Sequence, residues 1–408
     1  MNHRNARLCL ITFLAIFILF SANSQTNESS WNQFRGPERN GIAAAFELPD
    51  LLTSEGPELV WKKELGAGFA EINIESDRIY TLFSEKTDST SGFEYIGAFY
   101  AENGFPIWKT SIDSLFFDTF GDGPRSTPAI GKELIFCLSS YGKLSALSKS
   151  NGKMIWQIDI PKTFGSTLPR WAFSSSPVLL DEVLILEVGG KNGSAFVGFN
   201  QLTGDIMWKK GDGEASYCSP AIGKINGATN IIFANQTNLL SFNSKGDTLW
   251  SHAMSVNGPM AMPVFFDGNK IFISTIRSKG FCIVEIKDNN ATELLTAQSM
   301  KNDFSSSVYY DGHFYGFNVA ALQCISATTG EKKWTKRGFG KGSLILVDDS
   351  LLILSDKGKL IQVKASAENY MEQGEFQALE GKSWTAPSFA NGKLFLRNLT
   401  EMACYKLK

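Results

Sequence analysis

Short apolar runs separated by glycine, asparagine, aspartate and serine recur along the chain, as in Leu134 to Leu138 followed by Leu144 to Leu147. Runs of this length between turn residues predict β-strands, and no window carries a helical period over three turns. A finer pattern recurs five times: a small residue, an apolar residue, a polar turn, a glycine, and a tryptophan four positions after it. The copies are Ala98-Phe99 with Gly104 and Trp108, Ala146-Leu147 with Gly152 and Trp156, Gly198-Phe199 with Gly204 and Trp208, Ser241-Phe242 with Gly246 and Trp250, and Cys324-Ile325 with Gly330 and Trp334. Three degenerate copies fill the gaps: Ile283-Val284 with Leu295, Gln362-Val363 with Phe376, and Cys404-Tyr405. The small positions are 38 to 52 residues apart.

Upstream of most copies lies a marker, often serine or threonine before proline: Ser126-Thr127-Pro128, Ser175-Ser176-Pro177, Cys218-Ser219-Pro220, Ala261-Met262-Pro263, Ser305-Ser306-Ser307 and Thr385-Ala386-Pro387. Each repeat therefore reads as four strands: marker, apolar, small-residue and tryptophan strands. Turns such as Asn151-Gly152 and Asn391-Gly392 are hairpin signals. Eight such units of about 40–45 residues predict an all-β, eight-bladed β-propeller of four-stranded antiparallel blades over residues 57–408. The last copy lacks a tryptophan strand, whereas Glu58 to Lys62 (ELVWK) is a tryptophan strand with no blade before it. Joining the two completes the last blade and removes two open sheet edges. Trp61, Trp108, Trp156, Trp208, Trp250 and Trp334 are expected to dock between blades, where a large aromatic buries roughly 150–250 Å².

The spacing of small residue, glycine and tryptophan, closest to type in Ala146 to Trp156 and Cys324 to Trp334, resembles the repeat of the pyrroloquinoline-quinone (PQQ)-like propellers. The opening Trp31-Asn32-Gln33-Phe34-Arg35-Gly36-Pro37 is similar to the entry segment of secreted bacterial members. The resemblance implies one of two functions. Quinoprotein alcohol and sugar dehydrogenases hold PQQ with Ca2+ in a central funnel, and BamB-like members bind protein segments without catalysis. The dehydrogenases carry adjacent cysteines and long insertions; this chain has no Cys-Cys pair, and its eight repeats take up nearly all of its length. The expected function is a non-catalytic binding module with no cofactor, and a PQQ-dependent oxidoreductase is the alternative.

Composition narrows the picture further. The 408 residues hold 39 basic and 41 acidic side chains, which gives no basic surplus for nucleic acid or anionic lipid. Arg4 and Arg7, the apolar run Leu8 to Phe20, and Ser21-Ala22-Asn23-Ser24 predict a signal peptide over residues 1–24, with an irregular lead-in over 25–56. Cys9 lies inside the apolar run, so a lipoprotein signal is not expected. The protein should be exported, periplasmic or secreted, with no transmembrane segment after cleavage. Cys137, Cys218, Cys282, Cys324 and Cys404 read as small buried residues. His252, His313 and the Gly121-Asp122-Gly123-Pro124 and Gly211-Asp212-Gly213-Glu214 loops suggest no metal site. Phe69, Arg125, Arg170, Trp171, Tyr217 and Trp384 precede or begin marker strands. In a propeller these strands line the channel, so the six are the candidate mouth for a protein segment or a small polar ligand.

Overall fold

A computed structural model describes residues 30–44, 46–48 and 56–407; the expected signal peptide lies outside the described residues. Among these residues the chain forms eight four-stranded antiparallel sheets arranged as a ring of blades. Blades 1 to 7 span 73–114, 129–159, 178–210, 221–253, 264–297, 308–336 and 343–377, and blade 8 spans 388–406. Within each blade the marker strand is innermost and the tryptophan strand outermost. The one described α-helix, Ile160–Phe164, is a single turn after blade 2, started by Asp159 at its N-cap with Pro161 behind it and ended by Gly165.

The repeat pattern is explained by register. In blade 2 Ala146 lies directly opposite Trp156, and the strand bulges between Ala146 and Leu147. Ala98–Trp108, Gly198–Trp208, Ser241–Trp250 and Cys324–Trp334 pair in the same way, each with a bulge at that point. The bulge turns the indole toward the next blade. There its Nε1 donates to a backbone carbonyl of the outer hairpin, just before the repeat glycine in Trp108 to Lys149, Trp156 to Gln201 and Trp208 to Ser244, and in a turn without that glycine in Trp334 to Ser366, at 2.7–3.2 Å. Gly152 shows why glycine is needed at that turn: its φ is +71°, and a Cβ would lie 2.4 Å from the Trp108 ring.

Closure follows the expected route. Strand Glu58–Glu64 pairs antiparallel with Glu401–Lys406, placing Trp61 opposite Cys404, and Trp61 Nε1 donates to Ala101 O of blade 1 at 3.0 Å. Blade 8 is thus made from both ends of the propeller sequence. Beside it the fully buried Arg397 reaches into blade 1, donating to Thr81 Oγ1 and Gly66 O at 3.0 Å each.

Two repeats depart from expectation. In blade 7 the residue opposite Gln362 is Gly374, and Phe376 pairs with Leu360 instead. Phe376 packs edge-on against Tyr405 of blade 8, 5.2 Å between centroids, so a phenylalanine displaced by two positions covers that seam. Trp250 lies buried in the apolar cluster shared by blades 4 and 5, but its Nε1 donates to Asn230 Oδ1 of its own blade at 2.9 Å rather than to a carbonyl of the next. The outer hairpin of blade 5 turns tightly through Asp288 and Asn289, both at positive φ, and offers no glycine to cover. The five cysteines of the described residues are buried and unpaired, and Cys324 and Cys404 lie two blades apart.

Loss of the closing indole removes both a seam filler and a hydrogen bond. Trp61→Ala should therefore destabilise the protein by about 3–5 kcal/mol, read as a fall in the midpoint of chemical unfolding, while far-UV circular dichroism stays that of a β-protein. An unchanged midpoint would show that the ring does not depend on this strand.

Candidate functional site

The marker serines and threonines form a hydroxyl ring around the axis. Four of them accept from the backbone N–H of the equivalent residue in the preceding blade: Thr127 Oγ1 from Glu71, Ser176 Oγ from Thr127, Ser219 Oγ from Ser176, and Ser306 Oγ from Met262, all at 2.9 Å. In blade 7 Ser343 Oγ instead donates to Thr385 O at 3.0 Å, and the hydroxyl is replaced by Glu71 in blade 1, by Ala386 in blade 8 and by Met262 in blade 5. There Cys218 Sγ approaches Ala261 O at 3.3 Å.

Two residues upstream of this position, each blade presents one side chain to a shared cavity of about 310 Å³. In blade order they are Phe69, Arg125, Ser174 and Tyr217, then Met260, Phe304, Lys341 and Trp384. The walls are aromatic on opposite sides of the ring. Trp384 packs against Phe69, Phe120 and Phe304 with centroids 5.2–6.2 Å apart, and Trp171 packs against Tyr217 at 5.3 Å. Cations flank the rings: Lys341 and Lys382 lie over Trp384, and Arg170 and Arg277 over Trp171.

The lead-in supplies the floor. Trp31 bridges to Ile74 of blade 1, Asn32 O accepts from Ile130 N of blade 2, and Ile42 bridges to Leu346 of blade 7. The segment between crosses the axis and caps inner-strand carbonyls that have no partner strand. Arg39 is buried and donates to Pro220 O at 2.8 Å and to Pro177 O at 3.3 Å; Arg35 donates to Ser307 O at 3.1 Å. Glu71 fixes the segment in turn, accepting from Trp31 Nε1 at 3.0 Å and Arg35 N at 2.8 Å. Gly41 is glycine because a Cβ there would meet the Arg35 guanidinium at 2.1 Å. Phe34, Arg35 and Glu71 border the cavity from below.

Of the six residues expected at the mouth, Phe69, Arg125, Trp171, Tyr217 and Trp384 border this cavity. Arg170 does not; it borders an adjoining cavity of about 340 Å³ that shares Trp171 and Tyr217 as a wall. Arg125 is largely engaged by its own loop: its guanidinium donates to Gly123 O and, at 2.9 Å, to Gly121 O, sits 3.8 Å from Asp118, and lies over Phe69 and Phe116. Asp122 pairs with Lys86 at 2.9 Å, and Asp212 accepts from Gly193 N. Ser174, Met260, Phe304 and Lys341 escaped the sequence reading because residues were chosen by type. Counting two positions back from the middle residue of each marker would have found Ser174, Met260 and Phe304, whereas blade 7 carries no such marker to lead to Lys341.

The profile of the family described as outer membrane protein assembly factor BamB matches residues 92–336. The chain belongs to that family. BamB of Moranella endobia (strain PCIT) is 20% identical over 370 residues, covering 86% of this chain and 80% of the relative. The crystal structure of BamB from Moraxella catarrhalis superposes with a TM-score of 0.61 at 10% identity, over 85% of this chain and 97% of that one. A quinohemoprotein alcohol dehydrogenase from Pseudomonas putida HK5 superposes with a TM-score of 0.68 at 11% identity, over 93% of this chain and 80% of that one, so the BamB fold here is also the dehydrogenase fold.

Two buried carboxyls stand behind the mouth of this BamB-family propeller. Glu94 accepts from Ser140 N at 2.9 Å, and burial raises its pKa to about 7. Glu187 is hydrogen-bonded by the Ser216 hydroxyl, next to Tyr217, and burial raises its pKa to about 8 with no cation to oppose it. A carboxyl raised in the folded state stabilises the fold below its unfolded pKa of about 4.5, and that contribution is lost as pH rises through the folded value. The melting temperature should therefore fall between about pH 5 and 8.5. Glu187→Gln, which cannot ionise, should flatten that fall in parallel thermal scans; identical slopes would show that Glu187 does not titrate in this range.

Proposed function

We propose that this protein is an exported, non-catalytic interaction module of the BamB type, whose cavity mouth receives a segment of a partner protein. The observation that carries this reading is the convergence of one side chain per blade on a single cavity with aromatic walls and a closed floor. Large, semi-rigid aromatic surface beside arginine is the composition of protein-binding hot spots. The family's description as an outer membrane protein assembly factor supports a protein partner and a location outside the cytoplasm. Among the described residues no helix is long and apolar enough to cross a membrane.

The competing reading is a PQQ-dependent oxidoreductase, favoured by the dehydrogenase fold match and by the flat aromatic walls. The donor set fits it poorly. Among the described residues no three His, Cys, Asp or Glu side chains converge where Ca2+ would sit, and Glu71, the acid at the floor, is already held by Trp31 and Arg35.

Tyr217→Ala combined with Trp384→Ala removes one residue from each wall and leaves the hydroxyl ring intact. The double variant should fold and lose the proteins that crosslink to wild type in envelope extracts. Retention of every crosslinked partner would overturn the binding reading, and dye-linked alcohol or sugar oxidation on adding PQQ and Ca2+ to wild type would replace it with the enzymatic one.

A further inference from the structure

The adjoining cavity carries chemistry that the mouth reading leaves unused. Arg170 and Arg277 come from the loops before the inner strand of blade 3 and after the second strand of blade 5. Both are exposed, and their guanidinium carbons lie 5.9 and 5.7 Å from the centroid of the same Trp171 ring. The arginine ion pairs among the described residues belong to Arg78 and Arg125. At the mouth Lys341 holds Asp303 at 2.7 Å, Arg125 stands beside Asp118, and Lys382 donates to the carbonyl of Phe120 at 2.7 Å. Glu214 borders the same cavity but makes no ion pair with either arginine.

Two guanidinium groups over one indole, beside an aromatic cavity and without a carboxylate of their own, make a receptor for an external carboxylate. The indole orients them, and a planar fork of N–H donors matches the two oxygens of a carboxylate. Trp171 and Tyr217 belong to both cavities, so an anion held here is next to a group held between the walls. We infer that the segment received at the mouth is acidic and aromatic: it places an apolar or aromatic side chain in the central cavity and a neighbouring aspartate or glutamate in the adjoining cavity that Arg170 and Arg277 line. This rests on the mouth reading and specifies its partner.

The test uses the full chain and a random dodecapeptide phage library. Peptides enriched on wild type and lost on Trp384→Ala define the mouth binders. These should carry an acidic residue within a few positions of an aromatic or large apolar one, and their affinity, read from tryptophan fluorescence, should fall on the order of tenfold or more in Arg170→Ala with Arg277→Ala. Raising salt from about 0.05 to about 0.5 M should weaken them as well. Glu214→Gln removes the competing acid and should tighten them. Lysine in place of the peptide's acid should restore binding to the Arg170→Glu, Arg277→Glu variant. Because both arginines are exposed, these variants test binding rather than folding. Mouth binders without acidic bias, or indifferent to both arginines, would overturn the carboxylate inference and leave the mouth reading standing. If no enriched peptide depends on Trp384, both fail.

Discussion

An inner strand in a ring of blades has a neighbour on one side only, so its other edge faces the axis with carbonyl and amide groups that need partners. The rest of the molecule follows from how this chain meets that need. Marker hydroxyls accept the amides of the preceding blade, as in Ser176 with Thr127 and Ser219 with Ser176. Marker prolines have no amide to satisfy, and their carbonyls at 177 and 220 are taken by Arg39. Unpaired buried backbone groups cost about 1–3 kcal/mol each, so the two arginines of the lead-in are structural elements as much as any strand. Burial lowers the pKa of Arg35 and Arg39 to about 10, which leaves both charged at neutral pH.

The axis and the rim thus divide the work. At the rim, indoles reach across most of the seams between blades, and Trp61 carries that chain of contacts across the junction between the two ends of the propeller. On the axis, a polar plug converts what would be a channel into a cup. The cup's side chains lie just above the hydroxyl ring, where most are free of inter-blade hydrogen bonding. That separation lets one end of the protein be chemically individual while the ring stays regular.

Much of this was legible in the chain, because a strand repeat writes its register into spacing. The distance from Gly152 to Trp156 encodes a hairpin, a bulge and a docking contact at once, and the missing last tryptophan announced Trp61 as its substitute. What could not be read lay where the repeat is broken. Phe376 occupies a seam from a position two residues away from the expected one, and the Trp250 indole bonds Asn230 of its own blade instead of a carbonyl of the next. The plug was invisible for another reason. Trp31, Arg35 and Arg39 belong to no repeat, and their partners Glu71, Pro177, Pro220 and Ser307 are distant in sequence, so only closure of the ring brings them together. Arg125 illustrates the limit of choosing residues by type, since an arginine at a mouth is as well suited to bracing a loop as to meeting a ligand.

One feature of the cup bears on how such a protein can change. Each blade contributes a side chain from one fixed place in its repeat, so the part of the surface that the repeat itself sets is written as eight characters, one per module: F, R, S, Y, M, F, K and W. A point change at 174 or 260 edits one character and touches neither the tryptophan seams nor the hydroxyl ring. Recognition can then drift through many chemistries on an unaltered frame, and two propellers with nearly unrelated mouths can share the same skeleton. The cup behaves as a short text whose spelling is free where the grammar is fixed.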